Sequence, residues 1–235
     1  MRYSRYAIYY TFPDGPLARF GTAWLGWDAA RGVAVAPPAL NLPGPDIAAL
    51  TETPRRYGLH ATIKPPFRLA GGCTARGLAE AVAELCAGLP AAPLGRLRLT
   101  RMGRFLALVP EAAPPALSEL AARVVRDLDP FRAPMTREER DRRAARGLGA
   151  DRLQLLDAWG SAHVMEAFRF HVTLTGRLSD ADLARVESAL AEALSPLLDA
   201  PIMLDRLTLT GEAEDGFFHH IGEFALSGRA PPLPA

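Results

Sequence analysis

The chain has 235 residues, of which 49% are hydrophobic and 23% are charged, and its formal net charge is +1. This composition is that of an ordinary globular protein and excludes collagen, a coiled coil and a disordered chain. A nearly neutral chain also argues against a broad nucleic-acid-binding surface, while a small local basic pocket stays compatible with it.

The two cysteines, Cys73 and Cys86, lack the CxxC spacing of a redox or zinc site, and we expect both to be free thiols in a reducing compartment. The N-terminal segment has no apolar stretch long enough for a signal peptide. No segment approaches the roughly 20 apolar residues that span a membrane. We therefore expect a cytoplasmic monomer with no membrane partner.

Apolar periodicity and turn residues predict the secondary structure in chain order. In the first half we expect strands at 3–12, 58–64 (ended by Pro65 and Pro66) and 94–101, and helices at 17–27, near Ile47 and at 75–88. In the second half we expect strands at 104–109, 166–175, 202–210 and 217–226, and helices at 117–128, 136–146, 151–159 and 179–197.

The order of these elements in the first half resembles their order in the second half. It predicts an α+β fold, in which each half forms an antiparallel sheet backed by helices. We expect one bilobal, pseudo-symmetric domain at 1–229, with lobes at about 1–103 and 104–229, a charged helical insert at about 130–160 and a disordered tail at 230–235.

Each half contains one strand with a His-x-Thr-apolar motif. In the first, His60-Ala-Thr-Ile, alternation along the strand puts His60, Thr62 and Lys64 on one face and apolar residues on the other. Lys64 is the one lysine among 27 basic residues. A compact ammonium group suits a phosphate oxygen, so we predict that Lys64 binds substrate, the alternative being a lysine at the rim of the site.

The second motif, His171-Val-Thr-Leu, likewise puts His171 and Thr173 on one face, with Arg169 two residues upstream on the same side. If the two strands face a central cleft, they supply it with two imidazoles, threonine hydroxyls and two cations. Imidazoles titrate near neutral pH, so one can act as base and the other as acid. The hydroxyls and cations would bind the phosphoryl oxygens.

Other residues give weaker indications. Alternation along the first strand turns Tyr9 toward the cleft, where it would contact substrate. The arginine-rich segment 135–146 is typical of a solvated helix face, the alternative being a mobile lid. Adjacent strand residues such as His219 and His220 point to opposite faces, and no acidic cluster accompanies them, so we predict no metal site.

The longer strings around the motifs, residues 54–67 and 168–176, are more specific than the motifs themselves. They resemble the two-histidine (2H) phosphoesterase superfamily, and within it a bacterial branch of unknown function encoded in phosphonate-utilisation gene clusters. The resemblance spans almost the whole chain. It implies a bilobal fold, a reaction without metal or other cofactor, His60 and His171 as the acid–base pair, and Thr62 and Thr173 as phosphate ligands.

From these observations we expect an enzyme that opens a cyclic phosphodiester, such as a 2′,3′-cyclic nucleotide or a ribosyl cyclic phosphate. The alternative is a module that binds a phosphorylated small molecule or an RNA end without turning it over. P-loop, dinucleotide-binding and serine-esterase motifs are absent from the sequence. Nucleotide hydrolysis by a P-loop, nicotinamide redox chemistry and serine-esterase chemistry therefore lack their usual support.

Overall fold

A computed structural model describes residues 2–40, 42, 46–112, 114–145 and 147–228. The strands in these ranges are β1 (Arg5–Tyr10), β2 (Trp27–Asp28), β3 (Val33–Ala34), β4 (Ala61–Phe67), β5 (Ala92–Gly95), β6 (Leu97–Met102), β7 (Phe105–Pro110), β8 (Val172–Thr173), β9 (Ile202–Leu204), β10 (Arg206–Glu212) and β11 (Phe218–Ala225). The α-helices are α1 (Pro16–Leu25), α2 (Ile47–Arg55), α3 (Ala75–Ala87), α4 (Pro115–Asp127), α5 (Arg137–Ala144), α6 (Ala150–Trp159) and α7 (Asp180–Leu194). The expected tail at 230–235 and the last residue of the predicted charged helix, Arg146, lie outside the described residues.

The chain combines helices with antiparallel strands, which confirms the predicted α+β class. The strands of both halves are joined in one seven-stranded sheet of order β11-β10-β1-β4-β8-β7-β6, because Ala61 of β4 pairs with Val172 of β8. The C-terminal strands β10 and β11 lie beside β1, whereas β6 lies with β7 and β8. Each half of the sheet thus combines strands from before and after residue 103, the boundary expected between the two lobes.

One face of the sheet is covered by helices and forms the main core. Ile8 and Tyr10 of β1, together with Val172 of β8, point to this side and are fully buried. The apolar residues of α3, α4 and α7 pack against them, with the spacing of three and four residues that buries one face of a helix. The opposite face carries the motif side chains. None of the helices in the described ranges is long and apolar enough to cross a membrane.

Two predicted strands differ from the observed ones. β4 continues through Pro65 and Pro66 to Phe67, although these prolines were expected to end it. Its pairing with β1 is irregular there: Tyr9 pairs with Thr62, Ile8 with Lys64 and Tyr6 with Phe67. Extra residues in β4 therefore bulge out of the ladder, where a proline without an N–H group is tolerated.

The strand expected at 166–175 is reduced to Val172–Thr173, preceded by a 3₁₀ turn at Met165–Ala167. Met165 has a positive φ of 54°, which an extended strand does not accommodate. The residues before His171 therefore form a loop beside the sheet.

Candidate active site

A cleft of about 620 Å³ lies on the sheet face opposite the helices that form the main core. It is bordered by both motifs, by the β6–β7 turn and by the segment that follows α6. Of the residues predicted from the sequence, those that line it are His60, Thr62, His171, Thr173, Arg169 and Tyr9. The structure thus brings together both histidines and both threonines.

The register between β4 and β8 determines how these four side chains are arranged. Because Ala61 pairs with Val172 in antiparallel strands, His60 lies opposite Thr173 and Thr62 lies opposite His171. The two histidines occupy one diagonal of a square and the two threonines occupy the other. Diagonal neighbours on paired strands are about 7–8 Å apart, which leaves room for a phosphoryl group between the rings.

His60 is held by its own backbone and by aromatic rings. Its Nδ1 lies 2.9 Å from the carbonyl oxygen of Gly58, so Nδ1 carries the proton and Nε2 is directed to Thr62 Oγ1 at 3.2 Å. The ring packs 4.0 Å from that of Tyr9 and 5.7 Å from that of Tyr57. Burial lowers the pKa of His60 to about 4, against the opposing effect of the Gly58 carbonyl. At neutral pH this imidazole is uncharged.

His171 repeats the backbone arrangement in a more open setting. Its Nδ1 lies 2.7 Å from the carbonyl oxygen of Arg169, two residues upstream, as Gly58 is for His60. Nδ1 therefore donates here too, which leaves Nε2 for the substrate. Its one aromatic neighbour in the described residues is Phe105, at a ring distance of 6.2 Å.

The predicted phosphate contact of Lys64 is wrong. Its side chain is 2% exposed and turned to the helical side of the sheet, where Nζ donates to the Val125 carbonyl (2.9 Å) and to Asp129 (3.2 Å). The cause is the bulge at Ile63, which interrupts the alternation so that Lys64 pairs with the core residue Ile8. Burial lowers the pKa of Lys64 to about 8, and Asp129 opposes that effect.

The same position in the second motif behaves similarly. Thr175, four residues after His171, is 1% exposed, and its Oγ1 accepts a hydrogen bond from the Leu106 N–H at 2.9 Å. Each motif thus presents two polar side chains to the cleft and turns its next polar residue into the protein.

Tyr9 and Arg169 border the cleft in different ways. Tyr9 is 1% exposed and stacks on His60, so it has little surface with which to bind a phosphate; it positions the imidazole and keeps water from it. Arg169 is exposed, and its Nη1 donates to the carbonyls of Phe168 (2.7 Å) and Glu166 (3.2 Å). Arg169 therefore presents an oriented guanidinium at the mouth.

The sequence did not point to the part of the cleft wall that α6 forms. Arg152, Ser161 and His163 line the cleft, and Arg152 Nη1 donates to the Ala162 carbonyl (2.7 Å) and to His163 Nδ1 (3.0 Å). No signal in the sequence joins Arg152 to the motifs, because the contact depends on how α6 packs. None of the described residues in the 135–146 segment lines the cleft, and Arg140 instead pairs with Asp157 of α6.

His219 and His220 lie on β11 and do not line the cleft. His219 packs against Trp27 at a ring distance of 5.2 Å, and His220 lines a separate pocket with Arg206 and Glu223. The described ranges contain no group of three or more His, Cys, Asp or Glu side chains placed to hold a metal ion.

The chain is similar to a protein family and to two curated proteins over most of its length. A family profile described as "Protein of unknown function (DUF1045)" matches residues 62–219, which confirms the resemblance to a branch of unknown function. Two curated relatives, from Janthinobacterium sp. (strain Marseille) and Laribacter hongkongensis (strain HLHK9), are each named ribose 1,5-bisphosphate phosphokinase PhnN. They are 36% and 33% identical over 91% and 90% of this chain, which covers 48% and 49% of their lengths.

The chain therefore spans about half the length of these curated relatives. Among solved structures, it aligns with Escherichia coli LigT complexed with 3′-AMP, over 96% of this chain and 99% of that one. The identity in that alignment is 16% and the TM-score is 0.44.

Proposed function

We propose a function for this chain, which belongs to the DUF1045 family of proteins of unknown function, from the contents of its cleft. It is a phosphoesterase that opens a cyclic phosphodiester by acid–base catalysis between His60 and His171. The observation that carries this proposal is the square of side chains, in which two imidazoles face each other across two hydroxyls.

His60 is the base in this reaction. Its proton lies on Nδ1, held by the Gly58 carbonyl, and its lowered pKa keeps Nε2 unprotonated at neutral pH. Nε2 takes a proton from a water molecule while the water oxygen attacks phosphorus.

His171, in its protonated form, is the acid. As the new P–O bond forms, the ring P–O bond breaks, and Nε2 of His171 gives its proton to the departing alkoxide. Thr173 donates a hydrogen bond to a nonbridging oxygen, where negative charge grows during attack. Thr62, whose hydroxyl lies 3.2 Å from Nε2 of His60, donates to the other once the attacking water takes its place at Nε2. The diagonal placement suits this displacement because the base and the acid act from opposite sides of the phosphorus.

The side chains that line the cleft support a reaction without a metal ion. Mg²⁺ and similar hard cations are bound through carboxylate oxygens. No Asp or Glu of the described residues lines this cleft, whereas Arg152 and Arg169 do. The guanidinium of Arg169, two residues from His171, and the hydroxyl donors therefore supply the stabilisation that a metal would otherwise give.

For the substrate we propose a small ribosyl cyclic phosphate or a 2′,3′-cyclic nucleotide. The name shared by the two relatives contains a ribose with a phosphate on C1, and opening a ribosyl 1,2-cyclic phosphate at O2 leaves a phosphate on C1. A kinase activity does not transfer to this chain, because its sequence has no GxxxxGK[ST] phosphate-binding loop.

The test is hydrolysis of 2′,3′-cyclic nucleotides and ribosyl cyclic phosphates in the presence of a chelator, followed by identification of the product isomer. We expect turnover by the wild type and by Arg76→Gln, a control on the exposed side of α3, and its loss in His60→Ala and in His171→Ala. A wild type that binds these compounds without opening any of them would contradict the enzyme and favour the binding module. Activity that vanishes with chelator and returns with zinc or magnesium would contradict the metal-free mechanism.

A further inference from the structure

The charges that line the cleft are all of one kind. The guanidiniums of Arg152 and Arg169 lie there with three histidines. Every Asp and Glu side chain of the sequence lies in the described ranges, and none of them lines the cleft. The chain as a whole has 27 basic and 26 acidic residues, so this excess is a local feature and does not reflect the composition.

Hydrogen bonds orient both guanidiniums, and no carboxylate of the described residues pairs with either of them. Arg152 donates to the Ala162 carbonyl and to a histidine nitrogen, and Arg169 donates to two carbonyls of its own loop. In contrast, Arg132 and Arg140, outside the cleft, each make two hydrogen bonds to one carboxylate. Carbonyl oxygens fix the plane of a guanidinium but leave its full positive charge for an anion.

The two arginines belong to different parts of the cleft. Arg169 is two residues from His171 and so accompanies the scissile phosphate. Arg152 projects from α6, outside the motif strands, and donates to the carbonyl of Ala162, the residue after Ser161. Ser161 Oγ accepts the His163 N–H at 3.3 Å, which leaves its own hydroxyl proton to donate. A cation and a hydroxyl donor thus border the cleft from outside the two motif strands.

We propose that Arg152 and Ser161 bind a second phosphate, a phosphomonoester on the same sugar that carries the cyclic phosphate. This inference rests on the proposed function of the cleft. A cyclic phosphodiester has one negative charge, which the guanidinium of Arg169 already matches. A phosphomonoester carries close to two charges at neutral pH, which accounts for a further fixed guanidinium. A volume of about 620 Å³ suits one small molecule with both groups.

The kinetic test uses two matched pairs of substrates. Ribosyl 1,2-cyclic phosphate and adenosine 2′,3′-cyclic phosphate are each compared with the analogue that has an added 5-phosphate or 5′-phosphate. We expect the wild type to prefer the phosphorylated member of each pair by roughly tenfold to a hundredfold in kcat/KM, the range of a charge-assisted hydrogen bond.

Arg152→Gln should remove most of that preference and leave kcat/KM for the unphosphorylated members within about threefold. Arg152→Lys keeps the positive charge and should retain part of the preference for the phosphorylated substrate. It therefore separates loss of the charge from a general effect of substitution on folding. Arg76→Gln, on the exposed side of α3, should match the wild type. A wild type without preference, or an Arg152→Gln loss that is equal for both members, would overturn the proposal. A kcat/KM that is higher for a dinucleotide with a cyclic phosphate end than for the phosphorylated small substrates would also overturn it, because it would indicate an RNA end as the substrate.

A binding experiment separates this inference from the proposed function. Affinities for adenosine 3′-phosphate and adenosine 3′,5′-bisphosphate are measured by calorimetry on wild type and on Arg152→Gln. Tighter binding of the bisphosphate that depends on Arg152, in a protein that opens no cyclic phosphate, would support the phosphate site and reject the hydrolase. Equal affinities in the wild type would reject the second phosphate site, whatever the turnover.

Discussion

The two motif segments have the same sequence pattern and the same hydrogen bond from Nδ1 to a carbonyl two residues upstream, yet their surroundings differ. His60 precedes a seven-residue central strand and is packed against Tyr9 and Tyr57. His171 precedes a two-residue strand, follows an irregular loop and has Phe105 at 6.2 Å. Burial lowers the pKa of the first imidazole to about 4.

This contrast shows how a repeated motif can acquire two roles. Two histidines in identical surroundings would have the same pKa, and neither would be favoured as the base. Burial of His60 removes this equivalence, because a desolvated imidazole resists protonation. The assignment of His60 as base depends on packing, and the predictions below test it from the largest expected effect to the smallest.

The largest effect is expected from removing either imidazole. His60→Ala and His171→Ala should each lower kcat by roughly 10²–10⁴, the usual contribution of a positioned acid or base. The double variant should lose little more than the worse single variant, because the two act in one step. Steady-state kinetics with a common cyclic phosphate measures all three. Additive losses would indicate that the histidines act independently.

Removing either threonine hydroxyl should lower kcat less than removing an imidazole, and by nearly the same factor at the two positions. Thr62→Val and Thr173→Val keep the shape of the side chain and remove one hydrogen-bond donor each, so we expect kcat to fall by about tenfold to a hundredfold. Thr100→Val, on β6 outside the cleft lining, is the control. Unchanged kcat in both cleft variants would show that other donors hold the phosphoryl oxygens.

The acid side of the pH profile tests the difference between the histidines. Because His60 must be unprotonated to act and its folded pKa is about 4, kcat/KM should stay near its plateau at pH 5.5 and fall only near pH 4. A base with the ordinary histidine pKa would have lost about tenfold by pH 5.5. Tyr9→Ser, which admits water to the ring, should move the acid limb upward. A wild-type limb near pH 6.5 would contradict the burial argument.

Lys64 should affect stability and leave catalysis nearly unchanged. Lys64→Met removes the buried ammonium from Val125 and Asp129, and we expect the free energy of unfolding to fall by about 2 kcal/mol. Asp129 keeps its bidentate partner Arg132, which limits the loss. Denaturant unfolding and KM are measured together. A KM that rises with unchanged stability would restore Lys64 as a phosphate ligand.

Much of the site followed from local pattern. The two His-x-Thr motifs alternate polar and apolar residues, and alternation along a strand is a short-range property. It therefore placed His60, Thr62, His171 and Thr173 on the cleft side without any knowledge of the fold. The same rule failed at Lys64, because the position of a bulge depends on the pairing with the partner strand.

Local sequence also determined most helices and the antiparallel character of the sheet, since periodicity and turn residues act over a few positions. Tertiary structure decided the order of the strands in the sheet. The last two strands, β10 and β11, lie beside the first, β1. Tertiary structure likewise brought Arg152 to the cleft and packed Tyr9 and Tyr57 against His60, whereas His171 has Phe105 as its aromatic neighbour. These features depend on contacts between distant residues, and a charge or a pKa in a cleft is a property of everything packed around it.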